Sequence, residues 1–371
     1  MRCLFLAPMK APDHPLPSGD RAMARLFVRL LGRVGYEVEL VSKLSTRTKE
    51  PSPERWRELE HAADVELQRI LEGVPAAPGP IACVFTYHLY YKAPDLIGPR
   101  LATALGVPYV VAEATRAPSR GQGPFARGHE LAERAIDAAD LVLNLTTRDR
   151  EMVERFKPAA QRIADLKPFF DPADWPLAGP PAPRREGELR LVNVAMMRPG
   201  NKLASHHQLA EALARLGRPF RLDMIGDGPT REEVHAAFAP LGDQVRFHGM
   251  IEDRTILARF YREADLFVWP GVGEAYGAVY LEAQAHGLPC VAGDNGGVPD
   301  VIRDGETGIL APRGDIDAYA GAIRLLADDD ELRTRYAHAA WRFASEERTI
   351  EAAQHTLEAA LDAAGILRPA A

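Results

Sequence analysis

Trp269-Pro270-Gly271-Val272-Gly273-Glu274-Ala275-Tyr276-Gly277-Ala278-Val279-Tyr280-Leu281-Glu282-Ala283 reads as a strand end, a glycine-rich turn and a helix start. The apolar run 266–269 has strand character, and the pattern over 278–286 is helical. A strand that feeds a helix through such a turn is the building unit of parallel α/β sheets. Backbone N–H groups and the helix dipole make the start at Gly277 and Ala278 an anion site. The six residues from Tyr276 to Glu282 rise about 9 Å, roughly a diphosphate plus a ribose. Glu274 before the helix and Glu282 inside it then suit the hydroxyls of a nucleotide-sugar. Taken alone, the same pair also reads as a helix N-terminal charge and a solvated helix residue.

Outward from this stretch the same unit recurs. Strand patterns at 3–7, 37–41, 81–85, 109–112 and 141–144 alternate with helical ones at 21–31, 93–105 and 129–139. After residue 188, strands at 190–196, 221–225, 245–247, 266–269 and 290–292 alternate with helices at 203–216, 230–238, 254–263, 278–286 and 316–327. Between the halves, six prolines crowd residues 168–183, a composition that excludes regular structure. This divides the chain into a first domain over 1–168, a linker over 169–188, a second domain over 189–345 and a tail over 346–371. The tail carries a helix expected over 346–364, with Ile350, Ala353, Leu357 and Leu361 on one face. Two doubly wound domains face a cleft, and ligands of such sheets sit outside the carboxyl ends of the strands.

Composition bounds the function. Of 371 residues, 46% are hydrophobic and 26% charged, which excludes wholesale disorder. Lys and Arg number 45 against 52 Asp and Glu, a net charge of −7 that argues against nucleic acid as a partner. The charge is uneven: residues 1–168 hold 24 basic and 21 acidic side chains, a net of +3, so the second half is the acidic one. Arg21, Arg25, Arg29 and Arg33 recur every four residues on one helix, either as a solvated face or as a surface for anionic lipid or acidic glycan. Cys3, Cys83 and Cys290 are far apart among apolar neighbours, which points to buried thiols in a reducing compartment. No stretch reaches the length of a membrane span. The expected location is cytoplasmic, with peripheral contact at the inner face of a membrane through the first domain.

Glu274-Ala275-Tyr276-Gly277 with Glu282 resembles the donor signature of retaining glycosyltransferases of the GT-B fold, glycosyltransferase family 4 (glycosyl transferases group 1). There the pattern is E-G-F-G with a second Glu at the same spacing; here Tyr276 replaces Phe and Ala275 replaces the first Gly. The runs 287–302, with Asn295-Gly296-Gly297, and 304–308 are similar to the family as well. The resemblance covers most of residues 189–345. It implies two Rossmann-like domains, a C-terminal helix crossing back to the first, and the donor on the second. It also implies an Arg and a Lys on the loop after the first strand of that domain, which fall on Arg198 and Lys202, though the local spelling departs from G-R-L…K-G. Ile225-Gly226-Asp227-Gly228-Pro229 is a strand-to-helix turn that does not complete G-x-G-x-x-G, because Arg231 stands at the third glycine. Met250 and Ile251 fall in the loop that meets the base.

The resemblance thus implies Glu274 on the transferred sugar, Arg198 and Lys202 on the diphosphate and Glu282 on the ribose. The donor contacts are completed by Tyr276, Gly277, Ala278, Val279, Gly226, Met250 and Ile251. On the acceptor side stand Gly19 and Asp20, Asp20 being either a ligand or a cap of the first helix, then His88, and Glu113. Aligning on Pro108 puts the family's usual His at Ala114, so Glu113 takes the polar role or the acceptor side is built differently. The implied activity is retaining, metal-independent transfer from a UDP- or GDP-sugar to a glycan, lipid-linked or small-molecule acceptor, in cell-surface polysaccharide or glycolipid synthesis. No cofactor beyond the donor is expected. The rivals are an epimerase or phosphorylase of the same fold, a non-catalytic nucleotide-sugar binder, and a Rossmann dehydrogenase, against which the incomplete glycine pattern stands.

Overall fold

Apolar runs of three to nine residues, each followed by a helix or loop, assemble into two six-stranded parallel sheets. The computed structural model describes residues 1–16, 18–74, 78–177, 179 and 187–369. The chain divides into two units, Met1–Lys167 with Ala353–Ala371, and Pro168–Ala352. Residues 178 and 180–186 of the expected linker lie outside the described residues.

The first sheet has the order β2-β1-β3-β4-β5-β6, built from β1 (Arg2–Leu6), β2 (Glu37–Leu40), β3 (Ile81–Leu89), β4 (Tyr109–Ala114), β5 (Leu141–Asn144) and β6 (Arg162–Asp165). Its helices are α1 (Gly19–Arg33), α2 (Pro53–Gly73), α3 (Gly98–Leu105), α4 (Ala126–Asp137) and α5 (Thr147–Phe156). Both faces are covered, which is why β1, β3 and β4 carry apolar runs, over 3–6, 81–85 and 109–112. Leu4, Val84, Val111 and Val142 pack with Trp56, Leu59 and Ile136, while Phe5 stacks on Phe85, and Phe27 packs on that ring too. Cys3 and Cys83, paired across β1 and β3, are buried thiols, as is Cys290. The arginine row of α1 is partly used within the unit: Arg25 donates to the Pro12 carbonyl and Arg33 to Gln354.

The second sheet has the order β12-β11-β10-β7-β8-β9. It uses β7 (Leu189–Val194), β8 (Phe220–Ile225), β9 (Val245–Phe247), β10 (Leu266–Trp269), β11 (Cys290–Gly293) and β12 (Gly308–Ala311). Around it lie α6 (Asn201–Ala214), α7 (Arg231–Phe238), α8 (Arg254–Glu263), α9 (Ala278–Ala285), α10 (Ile316–Asp328) and α11 (Asp330–Arg342). In each sheet the strand order reverses once, between β1 and β3 and between β7 and β10. A crevice for a ligand opens at such a reversal.

Three local expectations change. The last helix, α12, runs over Ile350–Ala363 and not from Glu346, because Phe343–Glu347 is a π turn continuing α11 and Thr349 bridges to Phe170. Its apolar face is as expected, with Ile350, Leu357 and Leu361 fully buried. Pro229 precedes α7, which opens at Arg231 after Thr230. Finally, the proline-rich stretch is fastened to the second unit as far as it is described. The Phe170 N–H donates to the Arg348 carbonyl at 2.9 Å, and buried Trp175 packs under the Arg254 guanidinium, 4.9 Å away, and beside the His286 ring.

Candidate active site

In the second unit the loops after β7, β8, β10 and β11 interlock. The Gly226-Asp227-Gly228 segment prolongs β8 against the loop after β7: Ala195 N–H donates to Ile225 and Met197 N–H to Asp227. A Cβ on Gly226 would stand 1.9 Å from the Ala195 carbonyl oxygen, and Gly226 has φ 141°. Close backbone packing therefore accounts for this glycine, expected as a donor contact, without a ligand. The same contact holds the next loop, since Gly226 N–H donates to Gly249 O. That places Met250, 57% exposed, and half-buried Ile251 beside the turn.

Lys202, in the first turn of α6, forms an ion pair with the Oε1 of Glu274. The same oxygen accepts from the Trp269 indole Nε1 at 3.0 Å, and the Lys202 ammonium lies 5.3 Å from the Trp269 ring centroid. Tyr280 ties the knot to α9 by donating to the Trp269 carbonyl at 2.9 Å. Gly277 has φ 77°, and a Cβ there would lie 2.7 Å from the Tyr280 ring, so only glycine lets the chain turn into α9 here. No side chain caps this helix, and the N–H groups of Ala278 and Val279 have no partner among the described residues. Tyr276 is buried beneath them. The Arg198 side chain is exposed and makes no hydrogen bond or ion pair among the described residues. The loop after β11 serves as a clamp: Asn295 donates to the Pro270 carbonyl and Gly297 N–H to Ala275. Gly296 and Gly297 thus sit against backbone rather than open space.

Glu282 points away from this knot. Its carboxylate accepts from the Tyr261 hydroxyl at 3.4 Å. Burial pushes its pKa above the ordinary value, and Arg254 and Tyr261 only partly offset that.

In the first unit the acceptor-side candidates Gly19, Asp20, His88 and Glu113 come together at the β1/β3 reversal. Ser18, not Asp20, caps α1, its hydroxyl accepting from the Arg21 N–H. Asp20 instead meets His88 Nδ1 at 3.1 Å, and Glu113 Oε1 lies 3.8 Å from the same nitrogen. A Cβ on Gly19 would meet nothing, so the backbone beside Asp20 is open. His88 and Glu113 have φ 59° and 60°, and they are the non-glycine residues in the left-handed region among those described. Both lie at one level of the sheet, between the register pairs Tyr87↔Ala112 and Leu89↔Ala114. Such backbone costs about 1–3 kcal/mol per residue and persists only where the surroundings impose it. Burial alone would lower the His88 pKa, but Glu113, Asp20 and Asp149 raise it to about 9, so the ring is an imidazolium at neutral pH. Burial raises the Glu113 pKa and His88 opposes it; its second oxygen is buried without a partner.

The sequence reading missed Trp269 as a partner of Glu274, Tyr261 and Arg254 around Glu282, and Asp149 near His88. Only Trp269 had a sequence signal, an indole at a strand end immediately before the glycine turn.

Residues 188–329 match the family model described as glycosyl transferases group 1. D-inositol 3-phosphate glycosyltransferase of Streptomyces avermitilis is 26% identical over 92% of this chain and 83% of its own length. The lipopolysaccharide core biosynthesis glycosyltransferase LpsE of Rhizobium meliloti is 38% identical over 35% of this chain and 38% of its own. The solved structure of Anabaena HepE in complex with UDP superposes with a TM-score of 0.70 at 17% identity, over 98% of this chain and 100% of that one. Two parallel six-stranded sheets, the match of residues 188–329 to the group 1 model and these relatives together mark the chain as a glycosyltransferase with the GT-B fold, whose second unit carries the group 1 match.

Proposed function

We propose that the chain moves a sugar from a nucleoside-diphosphate sugar, UDP- or GDP-linked, to a hydroxyl of a glycan, lipid-linked or small-molecule acceptor. Anomeric configuration is retained and no metal is required. The observation that carries this reading is the Lys202–Glu274–Trp269 knot beside the uncapped start of α9. Two N–H groups, the ammonium of Lys202 and the unpaired guanidinium of Arg198 form an anion site. Glu274, paired with Lys202 and Trp269, accepts from sugar hydroxyls.

As the glycosidic bond breaks, negative charge grows on the leaving diphosphate. Fixed cations and N–H dipoles stabilise that charge more in the transition state than in the ground state. They occupy the role a metal would have. Glu282 accepts from the ribose hydroxyls. Gly19, Asp20, His88 and Glu113 receive the acceptor on the first unit. The leaving phosphate oxygen helps to take the acceptor proton on the same face, so no separate base is needed. The setting this supposes is cytoplasmic synthesis of surface polysaccharide or glycolipid, at the inner face of a membrane; no helix among the described residues is long and apolar enough to cross one.

The test is single-turnover release of nucleoside diphosphate from UDP- and GDP-sugars, with and without acceptor and with EDTA present. Acceptor-stimulated release of one diphosphate, unaffected by EDTA, is the expected result. Loss of turnover on chelation, or an epimerised donor as product, overturns it.

A further inference from the structure

Beyond His88, the first unit carries a strip of rings flanked by cations. The His88 ring lies 5.1 Å from Tyr90, Tyr90 lies 5.3 Å from Tyr91, and Tyr91 lies 5.1 Å from Phe125. Lys92 sits 5.6 Å from the centroids of both Tyr91 and Phe125, and Arg120 sits 5.3 Å from Tyr91. Burial raises the Tyr90 pKa to about 12, and the positive charge of Arg47, on the loop after β2, only partly opposes that rise. These residues come from loops after β2, β3 and β4, and the loops form one body. Thr48 N–H donates to the Lys92 carbonyl, Thr46 Oγ1 to Pro94, and Thr115 N–H to Leu89.

The cations of this strip differ from their neighbours. Arg116 is buried and paired with Glu133 and Asp137, and Arg127 is paired with Glu60 and Glu130. Arg47, Lys92 and Arg120 form no ion pair among the described residues, although Arg47 and Arg120 are exposed and Lys92 half-buried. The carboxylates of this unit's site, Asp20, Glu113 and Asp149, gather instead around His88. The surface is therefore polarised: acids and an imidazolium at one end, which suit hydroxyls, then aromatic faces with Arg47 beside Tyr90, then the unpaired Lys92 and Arg120 two ring contacts from His88. A guanidinium and an ammonium held over rings keep their N–H donors free for an oxyanion.

We propose that the acceptor carries an anionic oxyacid group, a phosphate ester or a carboxylate, which Lys92, Arg120 and Arg47 hold while its sugar or polyol ring rests on Tyr90 and Tyr91. This rests on the transfer reading above, with the attacking hydroxyl directed to the His88 end.

The test measures binding of glucose, glucose 6-phosphate and glucuronate to the full chain by calorimetry, at low and high salt, and repeats it on the K92Q/R120Q double variant. UDP-glucose and GDP-glucose binding and the circular dichroism spectrum are recorded on the same samples. The expected result is saturable binding of at least one anionic sugar, about tenfold tighter than glucose, weakened by salt and lost in the double variant. Preference for glucose 6-phosphate identifies a phosphate ester, and preference for glucuronate a carboxylate; either supports the proposal. Equal binding of all three, no saturable binding of either anion, or an unchanged double variant overturns it. If a nucleotide-sugar still binds in those cases, only the anionic acceptor fails. If neither nucleotide-sugar binds while the anion preference stands, the donor reading fails and the shelf remains.

Discussion

The two switch points of this molecule are built in opposite ways. At β7/β10 the side chains that matter lie on two short stretches, after β7 and after β10, and 72 residues separate the ion-paired Lys202 and Glu274. Three glycines in the left-handed region, Gly271, Gly273 and Gly277, make the turns, at little steric cost. At β1/β3 the residues come from three separate places, Asp20, His88 and Glu113. There the left-handed backbone falls on non-glycine residues that must be held there. The first site is preformed by sequence-local turn chemistry. The second is held by the sheet, at a conformational cost that signals a functional demand on the side chains.

The largest expected effect is at the donor end of that comparison. Glu274→Ala should lower kcat by about a thousandfold or more, because it removes a half-buried acceptor and leaves Lys202 unpaired. The melting temperature and dichroism should show a folded protein. Turnover near normal would remove Glu274 from the site. Arg198→Ala comes next. It should cost about a hundredfold in kcat/KM, with both kcat and donor KM affected, and leave stability untouched, since its side chain holds nothing in the fold. Steady-state kinetics like the parent's would take Arg198 off the diphosphate.

At the acceptor end the effects should be smaller and more telling. In the parent protein the raised His88 pKa, about 9 against 6.5 unfolded, contributes stability that is complete below about pH 6.5. That stability fades as pH rises through about 9. His88→Gln should abolish this alkaline loss in a pH series of melting curves and should raise acceptor KM by about tenfold. An unchanged pH dependence would show that the ring is not held as an imidazolium. Glu113→Gly is the finest probe. Set beside Glu113→Ala, which loses the same charge next to His88, it should be about 1 kcal/mol more stable, because only glycine relieves the left-handed backbone, and acceptor KM should rise in both variants. Equal stability of the two variants would mean that the Glu113 kink is not strained, and the contrast between the two switch points would weaken.

Much of the second unit was legible in the sequence. Leu266–Trp269, the glycine turn and the helix from Ala278 are local patterns, and local patterns survive reading in one dimension. Glu274 could be proposed because the family spelling persists around it, whereas Arg198 and Lys202 stand in a loop whose spelling departs from G-R-L…K-G. What could not be read was how those residues neutralise one another. The indole of Trp269 and the ammonium of Lys202 reach the same oxygen across elements that nothing in the sequence ties together. The linker shows the same limit from another side. Its prolines excluded regular structure, yet Trp175 is buried against Arg254 and His286 because a ring meets apolar and cationic faces wherever the tertiary fold offers them.

By itself the sequence determined two alternating α/β units, a donor-type loop on the second, and a list of polar residues at strand ends on the first. Those follow from periodicity, turn residues and spacing, which act over a few residues at a time. The tertiary structure alone decided that Asp20 turns from the helix cap to His88 and that His88 and Glu113 kink at the same level of neighbouring strands. It also decided which cations are neutralised within the fold, as Arg116 is, and which remain open to a ligand, as Arg120 does. Strand register and the meeting of loops 25 residues and more apart depend on packing the whole sheet, so they carry no signature in any single stretch of chain.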